Sequence, residues 1–510
     1  MTRYGSLFLG LLLLPMAQAQ ELTHASQVMG GPRSYRLHLP ATYAASAKRY
    51  PVIYFLHGYE SGNDERDSQL AAFAAHHDVI LVDSGPVETS GSFPLYLPEL
   101  AAHIDRTLRT LADRNHRAVS GFGTGGLLAL WLGAKSPDLF GSASALSPAR
   151  SAPIGPRGFE VDTLLDDLRV PYDAVRTRIF NSGALSAALD FHVAAFAAPL
   201  PEPKLLTHAD PYPNFTFWGW GVVSNRRRPG MTLLDNVSRR GFHSVVREWI
   251  PGGAVVPGVK LTITSPALFQ PNTSHTVTYL PLAGGKLRKL LQRTDSQGRL
   301  SFDLDGAETE VGIGSEPLLA LSRYQFTSAP WATAGRPVDL RLTFWNKGAV
   351  RSPAALLSWD SPTAGVKFDH PTGRLTALAP GESVTVPLTV TAPASALAGA
   401  ITLRAAGLAI EIPVYPPAEP AADFKILDES DHDGHASPGE SFAISLPEGR
   451  AEIITADPCV DTSVRVVEDG ARYTEAAIPS ACVPGRIVHL LLRTPARYAF
   501  VDFPIWYKLP

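Results

Sequence analysis

The side chains in this chain that could carry acyl-transfer chemistry are hydroxyls, imidazoles and carboxylates in its N-terminal part. The run Ala118-Val-Ser-Gly-Phe-Gly-Thr-Gly-Gly126 places the hydroxyls of Ser120 and Thr124 on either side of a glycine turn. His57 and His208 are imidazoles, and Asp190 a carboxylate, of the types that activate such a hydroxyl as a nucleophile. A second constellation lies near the C-terminus. Glu429-Ser-Asp431-His-Asp433-Gly434, followed by Glu440, sets carboxylates at the alternate positions of a calcium loop, with a glycine for the sharp turn. Its flanks, Phe424-Lys-Ile-Leu and Phe442-Ala-Ile-Ser-Leu, read as strands, so the loop would belong to a β domain. Pro438 and Gly439 suit an ordinary acidic turn equally well, and both readings stand. No other cofactor is required by these residues. The only two cysteines, Cys459 and Cys482, are expected to form one disulfide in an oxidising compartment, a pair of buried thiols being the alternative.

The elements that must position these groups change character along the chain. From Ser34 to about Tyr212, strand-like and helix-like runs alternate. Tyr50-Pro-Val-Ile-Tyr-Phe-Leu56 and Asp78-Val-Ile-Leu-Val-Asp83 read as buried parallel strands. Leu97, Leu100, Ile104, Leu108 and Leu111 recur at helical spacing, predicting a helix over 95–111. Arg117-Ala-Val-Ser120, the glycine cluster and Leu127-Leu-Ala-Leu-Trp-Leu132 form a strand, a tight turn and a helix. Units of this kind imply a mostly parallel sheet covered by helices on both faces. After Asn214 the helical period disappears, and short alternating runs separated by Pro, Gly and Asn predict β-sandwiches. Phe215, Trp218 and Trp220 are read as sandwich core, with a sugar-stacking platform as the alternative. The division expected is 20–212 for the first domain, then 213–316 and 317–415 for two sandwiches. A stiff proline-rich linker over 416–422 and a third β domain over 423–510 complete it.

The wider composition limits the function classes. Apolar content of 45% and charged content of 18% fit folded domains rather than disorder. A net charge of −3 gives no reason to expect nucleic acid or an anionic membrane as partner. Forty-four prolines and 42 glycines against four methionines suit many short strands and turns. Residues 1–19 read as a secretory leader: Arg3, the apolar run Leu7 to Leu14, and Ala17-Gln18-Ala19 as the cleavage site. No cysteine follows that would take a lipid anchor, and no run is long enough to span a bilayer. The expected location is secreted or periplasmic.

The glycine cluster resembles the nucleophile elbow of the α/β-hydrolase fold, in the carbohydrate-esterase and feruloyl-esterase branch. In that family G-x-S-x-G-G holds the serine on a strained strand-to-helix corner. Gly121, Gly125 and Gly126 match, and Gly123 stands in the serine position. Phe55-Leu-His-Gly58 resembles the loop that supplies part of the oxyanion hole, so His57, Gly58 and the backbone of Thr124 are the pocket residues the resemblance implies. Ser136-Pro-Asp-Leu-Phe140 and Ala145-Leu-Ser-Pro148 extend it. The family's acid position falls after Ile179-Phe-Asn-Ser-Gly183, where the first carboxylate is Asp190. The histidine position falls on His208. If the site is active, Thr124, Asp190 and His208 are its candidates, and Ser120 is a further substitute hydroxyl. The overall expectation is a multidomain chain, an α/β-hydrolase followed by about three all-β Ig-like sandwiches.

Loss of the serine hydroxyl favours a catalytically inactive esterase homologue with a binding or scaffold role towards glycans or cell-surface polymer. A carboxylic-ester hydrolase with a rearranged site is the alternative. A third reading is an adhesion protein whose β-sandwich tail carries the function.

Overall fold

The computed structural model describes residues 20–57, 64–86, 93–146, 178–181, 185–228, 230–248, 255–395, 399–428, 432–455, 457, 459–468 and 471–506. The expected leader at 1–19 lies outside the described residues, as does Gly58. The chain divides into two compact units, one reaching Pro201 and the other running from Glu202 onward.

The first unit is built on a seven-stranded sheet. Its strands are β1 (Gln20–Ser26), β2 (Gly31–His38), β3 (Val52–His57), β4 (Ile80–Pro86), β5 (Arg117–Phe122), β6 (Ser142–Leu146) and β7 (Arg178–Asn181). They lie in the order β1-β2-β4-β3-β5-β6-β7. β1 and β2 pair antiparallel, β2 meets β4 antiparallel, and all remaining neighbours are parallel. β3 is fully buried because the parallel centre is covered on both faces. Ile53 and Phe55 pack with Leu70, Phe73, Ala188 and Leu189. Those residues come from helices α1 (Asp64–His76) and α4 (Leu185–Ala197). Two further helices are described in the unit, α2 (Phe93–Thr107) and α3 (Thr124–Lys135). Leu97, Leu100 and Ile104 of α2 are fully buried, as their spacing predicts. The helix stops at Thr107, short of Leu108 and Leu111. There Tyr50 N–H donates to the Arg109 carbonyl and Leu111 N–H to the Tyr50 carbonyl, so backbone pairing with the start of the β3 segment takes over from the helix.

The second unit is all β among the described residues. Its first part contains β8 (Leu206–Asp210), β9 (Phe215–Phe217), β10 (Trp220–Ser224), β11 (Met231–Ser238), β12 (Gly241–Arg247), β13 (Leu261–Thr264), β14 (Ser274–Pro281), β15 (Arg288–Arg293), β16 (Ser301–Leu304) and β17 (Thr309–Ile313). They form a six-stranded sheet, β15-β14-β17-β12-β11-β8, and a four-stranded sheet, β16-β13-β10-β9. Side chains of both sheets share one core that includes Phe215, Trp220, Phe242 and Phe302, so Phe215 and Trp220 are core residues. Trp218, at φ 48° in the turn between β9 and β10, is only partly buried.

This sheet corrects the expected boundary at 212. Residues 206–210 pair antiparallel with β11, so they close the β sheet and are no part of the hydrolase-like sheet. A second β region follows, with strands Leu319–Phe326, Pro337–Asn346 and Ser383–Thr391 paired side by side. A third contains the Cys459–Cys482 disulfide, whose partners are 23 positions apart in sequence, which contributes about 3 kcal/mol in the chain-entropy description. The segment 416–422 is tied down as well as stiff. Glu419 and Pro420 pair with Ala499 and Phe500, and Ala421 N–H donates to the Phe500 carbonyl. Among the described residues no helix is long and apolar enough to cross a membrane.

Candidate active site

At the end of β5 the chain turns into α3 through Gly123, whose φ of 57° and ψ of −123° lie where residues with a side chain are strained. Gly123 N–H donates to the carbonyl of Leu146 at the end of β6 (2.9 Å). The glycines around it are held by close contact. A Cβ on Gly121 would lie 2.2 Å from the Gly125 carbonyl oxygen. One on Gly125 would lie 2.2 Å from the Leu56 oxygen, and one on Gly126 2.8 Å from the Gly121 oxygen. The first turn of α3 is thus pressed onto the ends of β3, β5 and β6, an approach that only glycine permits. Gly123 differs from all three: nothing lies within 4 Å of the Cβ it lacks. The corner keeps its strained backbone and an open place for a side chain that the sequence does not supply. Phe122 beside it is 48% exposed and Thr124 half-buried. As the first residue of α3, Thr124 turns its backbone N–H into the positive end of the helix.

His57 ends β3, and its carbonyl carbon lies 3.1 Å from the Cβ position of Gly125. Its ring is buried, with Nε2 3.5 Å from Asp83 Oδ1 in the middle of β4. Asp83 Oδ1 also accepts the Gly85 N–H at 2.9 Å. Close by, burial holds His38 below the ordinary histidine value against the opposing pull of Asp83 and Asp67. This histidine–carboxylate pair next to the corner was not foreseen, because nothing in the spacing of His57 and Asp83 signals that β3 and β4 are neighbours.

The other expected participants lie on other elements. Asp190 lies on the surface of α4, 58% exposed, with His77 Nε2 3.8 Å away. His77 follows the end of α1 and leads into β4, at the opposite end of the parallel strands from the corner. Residues 182–184, where the family acid would fall, lie outside the described residues. His208 is a core residue of the other unit. It pairs with Leu234, stacks on Phe217 at 4.7 Å, and sits 3.2 Å from Asp210 through Nε2. That placement removes it from the sheet bearing Gly123. The acidic run near the C-terminus is half outside the described residues, with Glu429 and Asp431. Asp433 accepts the His435 N–H at 2.7 Å, and the buried Glu440 accepts the Ser437 N–H at 3.1 Å, as in a self-capped turn. Among the described residues no three His, Cys, Asp or Glu side chains converge as metal ligands.

Ser120 is fully buried and joined to a histidine that the sequence gave no reason to choose. Ser142 Oγ lies 2.7 Å from His192 Nδ1, and His192 Nε2 lies 2.8 Å from Ser144 Oγ, which donates to Ser120 Oγ at 2.8 Å. The donors and acceptors close if Ser142 donates to Nδ1 and a neutral ring donates from Nε2. With no exposure, this network fastens α4 to β5 and β6 and offers no route to substrate. Burial pushes the His192 pKa down to about 3. Since the unfolded ring titrates near 6.5, the unfolded state binds the extra proton between those values, and stability falls as pH drops through that window. Between pH 7 and pH 5, wild type should lose about 2 kcal/mol more than His192→Gln, read from denaturant midpoints.

Comparison with known proteins gives two family matches in this chain. Residues 96–185 match a family model described as putative esterase. Residues 332–407 match that of the NPCBM-associated, NEW3 domain of alpha-galactosidase. Among solved structures, a ferulic acid esterase from Anaeromyces mucronatus is 25% identical over 27% of this chain and 60% of its own, with a TM-score of 0.24. An S-formylglutathione hydrolase from Staphylococcus aureus is 15% identical over 35% and 74%, at 0.25. The enterobactin esterase from Shigella flexneri is 16% identical over 36% and 60%, at 0.27. The chain therefore spans about three-fifths of the length of the ferulic acid esterase it matches. Residues 96–185 thus resemble an esterase-like hydrolase, and residues 332–407, within the β region that follows, resemble a NEW3 domain.

Proposed function

We propose that this is an exported modular protein whose α/β-hydrolase domain binds an ester or carboxylate of a glycan or cell-surface polymer without cleaving it, accompanied by Ig-like sandwiches. The observation that carries this reading is the corner at Gly123. Its backbone is that of a strained elbow, its neighbours are held by glycine-only contacts, and the nucleophile's place is open. Hydrolysis by this machinery needs a hydroxyl with a histidine to deprotonate it. Gly123 supplies no hydroxyl, Asp190 is an exposed residue of α4, and His208 is buried in a different sheet, paired with β11. What remains is a helix N-terminus and backbone N–H groups, which favour a carbonyl or carboxylate oxygen. The test compares wild type with Gly123→Ser on nitrophenyl and feruloyl esters, alongside titration with ferulate and uronic acids. Background turnover by both proteins, with saturable binding of a carboxylate by wild type, is the expected result. Turnover by wild type would sink the reading.

One observation favours a second reading, ester hydrolysis at a rearranged site: the His57–Asp83 pair beside the corner, a histidine already paired with a carboxylate. On that reading wild type would turn over, and His57→Asn would abolish it.

A further inference from the structure

β15 is a strand of unusual surroundings. Five of its six residues are exposed, on both faces, and none belongs to the core that the two sheets share. It pairs on one side only, with β14, from Ser274 opposite Arg293 to Tyr279 opposite Arg288. Its outer edge has no backbone partner among the described residues, so a row of N–H and C=O groups faces solvent.

The side chains along that edge are basic and apolar. Lys286, Arg288, Lys289 and Arg293 fall within eight residues, and no acid occurs from Pro281 to Thr294. None of the four has a carboxylate partner among the described residues. Arg288 lies over the Tyr279 ring at 5.4 Å, and Arg293 Nε donates to the Asn272 carbonyl at 3.1 Å. Leu290 is 46% and Leu291 74% exposed. Alternation puts Arg288, Leu290 and Gln292 on one face and Lys289, Leu291 and Arg293 on the other. Each face thus shows a leucine flanked by cationic or polar groups, and only a ligand lying along the edge would touch both.

We infer that β15 is a docking edge for an extended acidic peptide segment of a partner protein, which adds to the sheet as a further strand. Main-chain bonds to the open edge supply affinity. An apolar pair flanked by carboxylates matches the leucines and the cations, which supplies selectivity. A second copy of this chain does not fit, because two such edges would bring like charges together. This assignment is independent of the reading of the Gly123 corner.

The full-length protein should bind a labelled short peptide with two central valines flanked by glutamates and aspartates, saturably, in fluorescence anisotropy. The double change Lys289→Glu with Arg293→Glu should weaken binding at least about tenfold. Both sites are exposed, so the melting temperature should hold. Leu291→Ser should weaken binding with the charges intact. The same peptide N-methylated at alternate residues should lose binding, since it can no longer pair with a strand. Equal binding of the methylated peptide, or displacement of the peptide by a polyuronate at matched charge, would show a general polyanion surface and overturn strand addition. Absence of saturable binding would overturn it as well.

Discussion

Gly125→Ala is expected to cost about 3–5 kcal/mol of folding stability, against about 1–3 kcal/mol for Gly123→Ala two residues away. The difference lies in what a methyl group meets. At Gly125 it would sit 2.2 Å from the Leu56 carbonyl oxygen, a backbone atom of the fully buried β3. That atom cannot give way unless the pairing of β3 with β4 and β5 gives way too. At Gly123 the methyl meets nothing within 4 Å, and only the positive φ opposes it. Gly121→Ala should resemble Gly125→Ala, since its methyl would fall 2.2 Å from the Gly125 oxygen. Guanidinium unfolding of the three variants, followed by tryptophan emission, checks the order. Equal costs at 123 and 125 would mean that the corner has relaxed from this packing. The order matters for function, because a tight cradle around a tolerant position is what allows a serine to be placed at 123 as a test of the pocket.

Much of this corner could be read from sequence because its determinants are local. The apolar run Val52–Leu56 marks a buried strand, and Gly121 to Gly126 mark a turn where helix and strand backbones touch. His208 could not be placed so. Lys204-Leu-Leu-Thr207 reads alike as the last strand of a parallel sheet or the first of an antiparallel one. Its true partner, β11, begins more than twenty residues later and is chosen by the β core. The Ser120–Ser144–His192 network was equally hidden. Ser142 and Ser144 are two apart on one strand face, but nothing in that spacing says which helix covers them. The pair His57 and Asp83 became visible only once β3 and β4 were neighbours. Composition showed only part of the picture near Pro416, where a proline-rich stretch reads as a stiff linker while the backbone of Glu419 and Pro420 also pairs in a sheet.

The same limit applies to the buried charges joining the first two β regions, and there the second large effect is expected. Lys347 Nζ lies 2.8 Å from Glu310 Oε2, with both side chains almost fully buried. Glu310 is on β17, opposite His243 of β12, which in turn opposes Asp235 of β11. Lys347 follows the strand Pro337–Asn346 of the next region, and its carbonyl accepts the Thr278 hydroxyl. Arg323 crosses the same boundary to Glu308 at 2.6 Å. Burial opposes charge on Glu308, but His243, Arg323 and Arg247 outweigh it and hold the carboxyl down at about 2. Burial likewise disfavours charge on His243, and Glu308, Glu310 and Asp235 outweigh it to raise its pKa. Glu308 therefore stabilises the fold above the ordinary carboxylate range, and that contribution is lost as pH falls towards 2. The contribution of His243 is complete below about 6.5 and is lost as pH rises through its raised value. Removing one member of the Lys347–Glu310 pair leaves an uncompensated buried charge, so Lys347→Ala or Glu310→Ala should each cost about 3–5 kcal/mol. The double change Lys347→Met with Glu310→Leu should cost much less than the sum, because neither charge is then stranded. Denaturant titration of the two single variants and the double, at one pH between 5 and 6, measures the coupling. Additive losses would mean that the pair is hydrated in solution and that Arg323 with Glu308 holds the two β regions without it.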